Sequence, residues 1–64
     1  MLAQNIKRYR AARKLSQEQL AQKAGITYST LAKLESGANR NPTVHTLQHI
    51  ARALGVTLDE LMKD

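Results

Sequence analysis

An all-α bundle of five short helices is the fold this sequence predicts, and three observations predict it. Apolar residues recur at three- and four-residue spacing, and no stretch alternates as a strand would. Hydroxyl residues suited to N-capping, Ser16, Thr27, Thr43 and Thr57, stand at the start of successive apolar stripes. Three glycines, Gly25, Gly37 and Gly55, stand where stripes end, the usual place for glycine after a helix.

The first helix runs from Leu2 to about Lys14. Leu2, Ile6 and Tyr9 share one face, while Lys7, Arg8, Ala11 and Lys14 point elsewhere. Arg10 falls at the edge of the apolar face, where an unpaired cation is costly, and Glu35 is the obvious partner. Ser16 caps the second helix, and Gln19 three residues on completes a capping box. Leu15 and Leu20 have the spacing of a hydrophobic staple around that cap. Leu20, Ala21 and Ala24 form its stripe, and Gly25 ends it. Thr27 then caps a third helix with Ile26 and Leu31 as staple, Leu31 and Leu34 on its inner side, and Gly37 as its stop. A helix, a glycine turn and a second helix at this spacing is a helix-turn-helix layout.

On the third helix Tyr28, Ser29, Ala32, Lys33 and Ser36 fall outside the apolar stripe, within an arc of roughly 140°. A phenol, hydroxyls and an ammonium on one exposed arc can hydrogen-bond base edges or phosphates. Taken alone, that arc fits an ordinary solvated face equally well. After Gly37 the polar run ANRNP forms a loop, with Asn39, Arg40 and Asn41 as potential phosphate ligands and Pro42 barring helix continuation. Thr43 caps the fourth helix, whose stripe is Val44, Leu47, Ile50, Ala51 and Leu54, ended by Gly55. Val56, Thr57, Glu60 and Leu61 repeat staple and capping box before a last short helix carrying Leu58, Leu61 and Met62.

Charge is distributed unevenly. The net +5 divides into +6 for residues 1–40, where eight Lys or Arg face Glu18 and Glu35, and −1 for residues 41–64, where Arg52 and Lys63 face Asp59, Glu60 and Asp64. The positive charge thus accompanies the helix-turn-helix, as a polyanion-binding surface requires. With 64 residues, one domain spanning 1–64 is expected, with no room for a sensor or effector domain. Zero cysteines exclude disulfides and thiolate metal sites and fit a cytoplasmic location. No apolar run approaches the roughly 18 residues of a membrane span, and MLAQNIKRYR carries too many charges for a signal peptide.

The runs LSQEQLAQKAGIT, LAKLESG, NPTVHTLQHIARALGV and LDEL resemble the Cro and phage-repressor type helix-turn-helix family, also called the xenobiotic-response-element family. The resemblance covers Ile6 to Leu61. It implies a five-helix, lambda-repressor-like bundle that binds double-stranded operator DNA, commonly as a homodimer on a pseudo-palindromic site, and regulates transcription, here as a repressor. Carried over by position, it implies that Gln17 and the amides beginning its helix grip a phosphate. Thr27, Tyr28, Ser29 and Lys33 then occupy base-reading positions. Ser36, Arg40 and Asn41 lie where the family holds the backbone, with the first amides of the helix capped by Thr43. Arg10 and Glu35 match a pair that in some members forms a partly buried salt bridge between the first and third helices. Many phage members carry glutamines on the reading face, whereas Tyr28 and Lys33 dominate here, so no operator sequence is carried over.

Other chemistries find little support. His45 and His49 are spaced as two ligands on one helical face could be, but both fall opposite Leu47 and Ile50 with no Cys or third His nearby; no metal or cofactor is expected. No glycine-rich phosphate loop, paired carboxylates or nucleophile–base arrangement suggests an enzyme. An alternative function is a protein-interaction module on the same fold, such as the DNA-binding half of an antitoxin with a toxin partner. RNA binding is a weaker alternative, because aromatic stacking platforms are scarce. For a homodimer, the last helix and the end of the fourth, with Leu58 and Met62 nearby, are the expected contact.

Overall fold

The computed structural model describes all residues, Met1–Asp64, and the chain folds into five helices without a strand: α1 Leu2–Ala12, α2 Gln17–Ala24, α3 Tyr28–Ser36, α4 Val44–Leu54 and α5 Leu58–Met62. Four helices open on a hydroxyl cap. Ser16 Oγ accepts from Gln19 N at 3.0 Å, and Thr27, Thr43 and Thr57 do the same for Thr30, Thr46 and Glu60. Two caps are complete boxes, with Ser16 N donating to Gln19 Oε1 and Thr57 N to Glu60 Oε1, each at 2.8 Å. These bonds satisfy amide donors that have no partner inside a helix.

Every helix sends at least one fully buried side chain to a common centre: Ile6, Leu20, Leu31, Leu34, Ile50 and Leu61. α2 packs on both α3 and α4, α1 on α3 and α5, and α4 on α5. The scarcity of aromatics is met by alanine: Ala21, Ala24, Ala51 and Ala53 are buried and let helices approach closely.

Four details depart from the sequence reading. α1 ends at Ala12, two residues before Lys14, because the chain turns off the helix there. Lys14 N donates to Ala11 O at 3.0 Å and Leu15 N to Arg10 O at 3.2 Å, a Schellman-type closure with Lys14 at φ 56°. Val44 belongs to the α4 stripe by angle but is 60% exposed. A helical side chain leans toward the N-terminal end of its helix, so the first residue of α4 projects past the rim of the core. Ala53, outside the expected stripe, is buried instead. Asn5, which no local pattern singles out, is buried, and its Nδ2 donates to Leu61 O at 2.9 Å and to Lys63 O. It thereby satisfies carbonyls left open at the end of α5. Met62 on that helix is half exposed.

Candidate nucleic-acid interface

The outer arc of α3 is positioned by a buried carboxylate on its opposite flank. Glu35 is 3% exposed and accepts three hydrogen bonds. Arg10 gives two of them as a fork, Nε to Oε2 at 2.7 Å and Nη2 to Oε1 at 2.9 Å. Gln17 Nε2 gives the third, to Oε1 at 3.0 Å. Arg10 also donates through Nη1 to Leu15 O at 2.9 Å. α1, the start of α2 and the end of α3 therefore meet at one carboxylate, and the Arg10 guanidinium ties the turn after α1 to it. The hydrogen bond to Glu35 is the largest influence on Arg10 and raises its pKa above the ordinary value, outweighing burial. Arg10 consequently remains a cation at every pH at which the fold is of interest.

Glycine sets the angle between α2 and α3. Gly25 takes φ 74°, a left-handed conformation that a Cβ disfavours, and Ile26 N donates back to Ala21 O at 3.0 Å. Two residues later Thr27 opens α3. Its hydroxyl accepts from Thr30 N at 3.1 Å and bonds Thr30 Oγ1 at 2.8 Å, so it is committed to the helix start. Tyr28, Ser29 and Lys33 are all exposed on the arc beyond it, Tyr28 to 52%, with no side-chain hydrogen bond of their own inside the fold.

The far end of the arc is held by a compact polar turn. Ser36 Oγ donates to Lys33 O at 3.1 Å and accepts from Ala38 N at 3.3 Å. Asn39 N donates to the same Lys33 carbonyl at 3.1 Å, and Asn39 Oδ1 accepts from Asn41 N at 3.1 Å. Arg40 and Asn41 keep exposed side chains in this pinned loop. Two hollows flank α3. One is lined by Arg10, Ser16, Gln17, Glu18 and Tyr28. The other brings Ser36 and Arg40 together with Gly37 and the first residues of α1. Lys33 and Ser29 line neither; they stand on the ridge between.

The bond from Gln17 to Glu35 is not legible in the chain, since no local spacing relates residues 18 apart. It occupies one amide proton of Gln17 and leaves the other proton and the amide oxygen free. Elsewhere, the imidazoles of His45 and His49 lie near-parallel with centroids 6.2 Å apart on the exposed side of α4. The guanidiniums of Arg8 and Arg13 approach the Tyr9 ring at 5.3 and 5.4 Å, covering an aromatic that is otherwise half buried. No helix is long and apolar enough to cross a membrane.

Comparison with known proteins places this geometry. The HTH_3 family model, described as helix-turn-helix, matches residues 6–61. The transcriptional regulator SinR of Bacillus licheniformis is 33% identical over 64 residues, which is all of this chain and 58% of SinR. The immunity repressor protein of Bacillus phage phi105 is 41% identical over 61 residues, 95% of this chain and 42% of the repressor. The chain thus spans about half the length of these relatives. A crystal structure of SinR, the master regulator for biofilm formation, in complex with DNA superposes with a TM-score of 0.95 at 33% identity, covering 98% of this chain and 100% of that one. The matched segment begins at Ile6, takes in the Arg10–Glu35 contact and the whole of α2 to α4, and ends at Leu61: the chain belongs to the helix-turn-helix family of Cro and phage-repressor type.

Proposed function

We propose that this domain binds double-stranded DNA in a sequence-specific way and regulates transcription, as a repressor, by seating α3 in the major groove. One observation carries the reading. An exposed arc with Tyr28, Ser29 and Lys33 sits on a helix held by Glu35 to two other segments, within the half of the chain that carries +6. A firmly held helix with hydrogen-bonding groups and an ammonium on its outer side, set in a cationic half of the chain, is what base reading requires. Relatives support the same reading, since SinR has been solved with DNA and the phi105 protein is a phage immunity repressor.

Within this reading the residues divide by task. Tyr28, Ser29 and Lys33 reach base edges, and Thr27 places the helix. The free amide proton of Gln17, together with Arg40 and Asn41, contacts the phosphates on either side, and Ser36 joins them by exchanging its bond to Lys33 O for one to a phosphate. Arg10 and Glu35 hold the ridge at a fixed height. Two copies bind a pseudo-palindrome with half-site centres about 10 bp apart, one helical turn, so that both ridges enter the same side of the duplex.

Selection of bound duplexes from a random pool tests the reading directly. A two-fold symmetric consensus and a two-to-one complex in sedimentation are expected. Binding that shows no consensus and depends on salt alone would overturn the sequence-specific part. A domain that ignores duplex DNA but co-purifies with one stoichiometric protein would favour an interaction module instead.

A further inference from the structure

Four residues of this chain have left-handed backbone conformations. Three are glycines, Gly25, Gly37 and Gly55, at φ 74°, 82° and 72°. The fourth is Lys14, at φ 56°. All four perform one task, closing the end of a helix, and glycine does that task without the clash between Cβ and carbonyl oxygen that a lysine incurs. Asn and Asp relieve part of that cost by local hydrogen bonding, which an ammonium on a four-carbon stem does not. The backbone bonds that close α1 at Lys14 would form equally with glycine there, so the lysine carries a conformational cost that its own side chain does nothing within the fold to offset. Its side chain is exposed and makes no hydrogen bond or ion pair; the salt bridges present are those of Met1 with Asp64 and of Arg10 with Glu35.

The position of Lys14 suggests what the charge is for. It is two residues before Ser16, a separation of at most about 7 Å along the backbone. Ser16 and Gln17 line the hollow shared with Arg10 and Tyr28 beside the recognition ridge. Leu15, next to Lys14, is held there by its bonds to Arg10 in both directions, Leu15 N to Arg10 O and Arg10 Nη1 to Leu15 O. The turn that presents Lys14 is thus anchored to the same lattice that fixes α3.

We infer that Lys14 is a phosphate-contacting residue, neutralising the DNA backbone on the α1–α2 side of the ridge, and that its side chain is kept there against the conformational preference of the position. This inference rests on the duplex binding proposed above. It assigns to the α1–α2 turn a contact that matches, on the opposite flank, the one assigned to Arg40.

The test pairs folding with binding for Lys14→Gly, Lys14→Arg and Lys63→Gln. Lys63 is an exposed cation at the end of α5 and serves as the charge control. Melting is followed by circular dichroism. Binding to the selected site and to a random duplex of equal length is followed by anisotropy between about 50 and 200 mM salt. Lys14→Gly is expected to melt higher, by about 5 °C, because the strain is removed. The same variant is expected to bind both duplexes about fivefold more weakly near 0.15 M salt, with the log–log salt slope shallower by about 0.9. Lys14→Arg should keep the parental slope, and Lys63→Gln should leave it unchanged. A Lys14→Gly protein that binds with the parental slope overturns the inference. So does a Lys63→Gln protein whose slope falls as far, since net charge alone would then explain the loss. Failure of the parent itself to bind any duplex at low salt is a different result: it removes the DNA-binding reading, and this inference with it.

Discussion

In α1 to α3 the fold is joined by a carboxylate that receives three hydrogen bonds from two other helices, whereas α4 is joined to it by apolar contact and α5 by apolar contact with the two Asn5 bonds at its end. The first three helices and the turns that follow them carry most of the exposed cations and the ridge of Tyr28, Ser29 and Lys33. The last two are close to neutral, and α4 alone buries Leu47, Ile50, Ala51, Ala53 and Leu54. Directional bonds fix orientation, while burial supplies most of the free energy. A domain this small needs both, because a bundle held by apolar contact alone could stay folded while α3 shifted. The difference teaches that α4 and α5 should govern stability, and Glu35 the pose of α3.

The largest effect is expected from the apolar half. Ile50 is fully buried between helices, and Ile50→Ala should cost about 2–5 kcal/mol in urea unfolding. A 64-residue domain has a total stability of only roughly 3–10 kcal/mol, so this variant should lose DNA binding to every sequence by unfolding. A cost under about 1 kcal/mol would mean the two halves do not differ as described.

Glu35→Ala comes next, at about 3 kcal/mol, because it strands the Arg10 guanidinium, whose side chain is 20% exposed, and frees the Gln17 amide. Replacing Arg10 and Glu35 together by apolar residues of similar volume should cost less than the single change. That double variant also separates stability from pose. It should fold, yet read its site less sharply than the parent. Independent, additive effects in a double-mutant cycle would show that the three bonds do not act as one unit.

The two halves also differ in how much of each is legible in the sequence. Caps, boxes and glycine stops act over three or four residues, and Ser16–Gln19 and Thr57–Glu60 close where their spacing predicts. The five-helix bundle and the outward arc of α3 follow from the same short-range periodicities. Contacts between distant segments leave fainter traces. Arg10 announces that it needs a partner, because a cation beside an apolar face always does. Gln17 and Asn5 announce nothing: a neutral amide is at home on a surface, and the bonds to Glu35 and to Leu61 O arise only from packing. Val44 goes astray because a helical wheel reports direction but not whether another helix is opposite. The turn at Lys14 goes unmarked because glycine is the usual sign of a helix end, and this end lacks one.

A smaller and more selective effect is expected on the ridge. Lys33 faces away from Leu31 and Leu34, so Lys33→Ala should leave unfolding unchanged. If its ammonium reads guanine O6 and N7, affinity for the selected site should fall by about 1–3 kcal/mol and preference should relax at one position per half-site. An unchanged consensus with evenly weaker binding would instead move Lys33 to the phosphates.

The smallest effect separates two capping boxes of nearly identical geometry. Ser16 with Gln19 opens α2, Thr57 with Glu60 opens α5, and the paired bonds measure 3.0 and 2.8 Å in both. Only the second can titrate. The bonds to Thr57, its backbone N–H foremost, lower the Glu60 pKa below the ordinary carboxylate value, with Arg13 and Lys63 adding to the shift. A carboxylate whose pKa is lower in the folded state stabilises the fold above its unfolded pKa of about 4.3 and loses that contribution as pH falls through the folded value. Glu60 is fully exposed, so the contribution is small and best read locally. Between about pH 6 and pH 3, the protection of the Thr57 amide against hydrogen exchange should decline while that of Ser16 holds. Glu60→Gln should make the two boxes behave alike by removing the titrating group. Loss of protection at both amides in step would point to global acid unfolding, and the difference between the boxes would then have no bearing on how α5 is held.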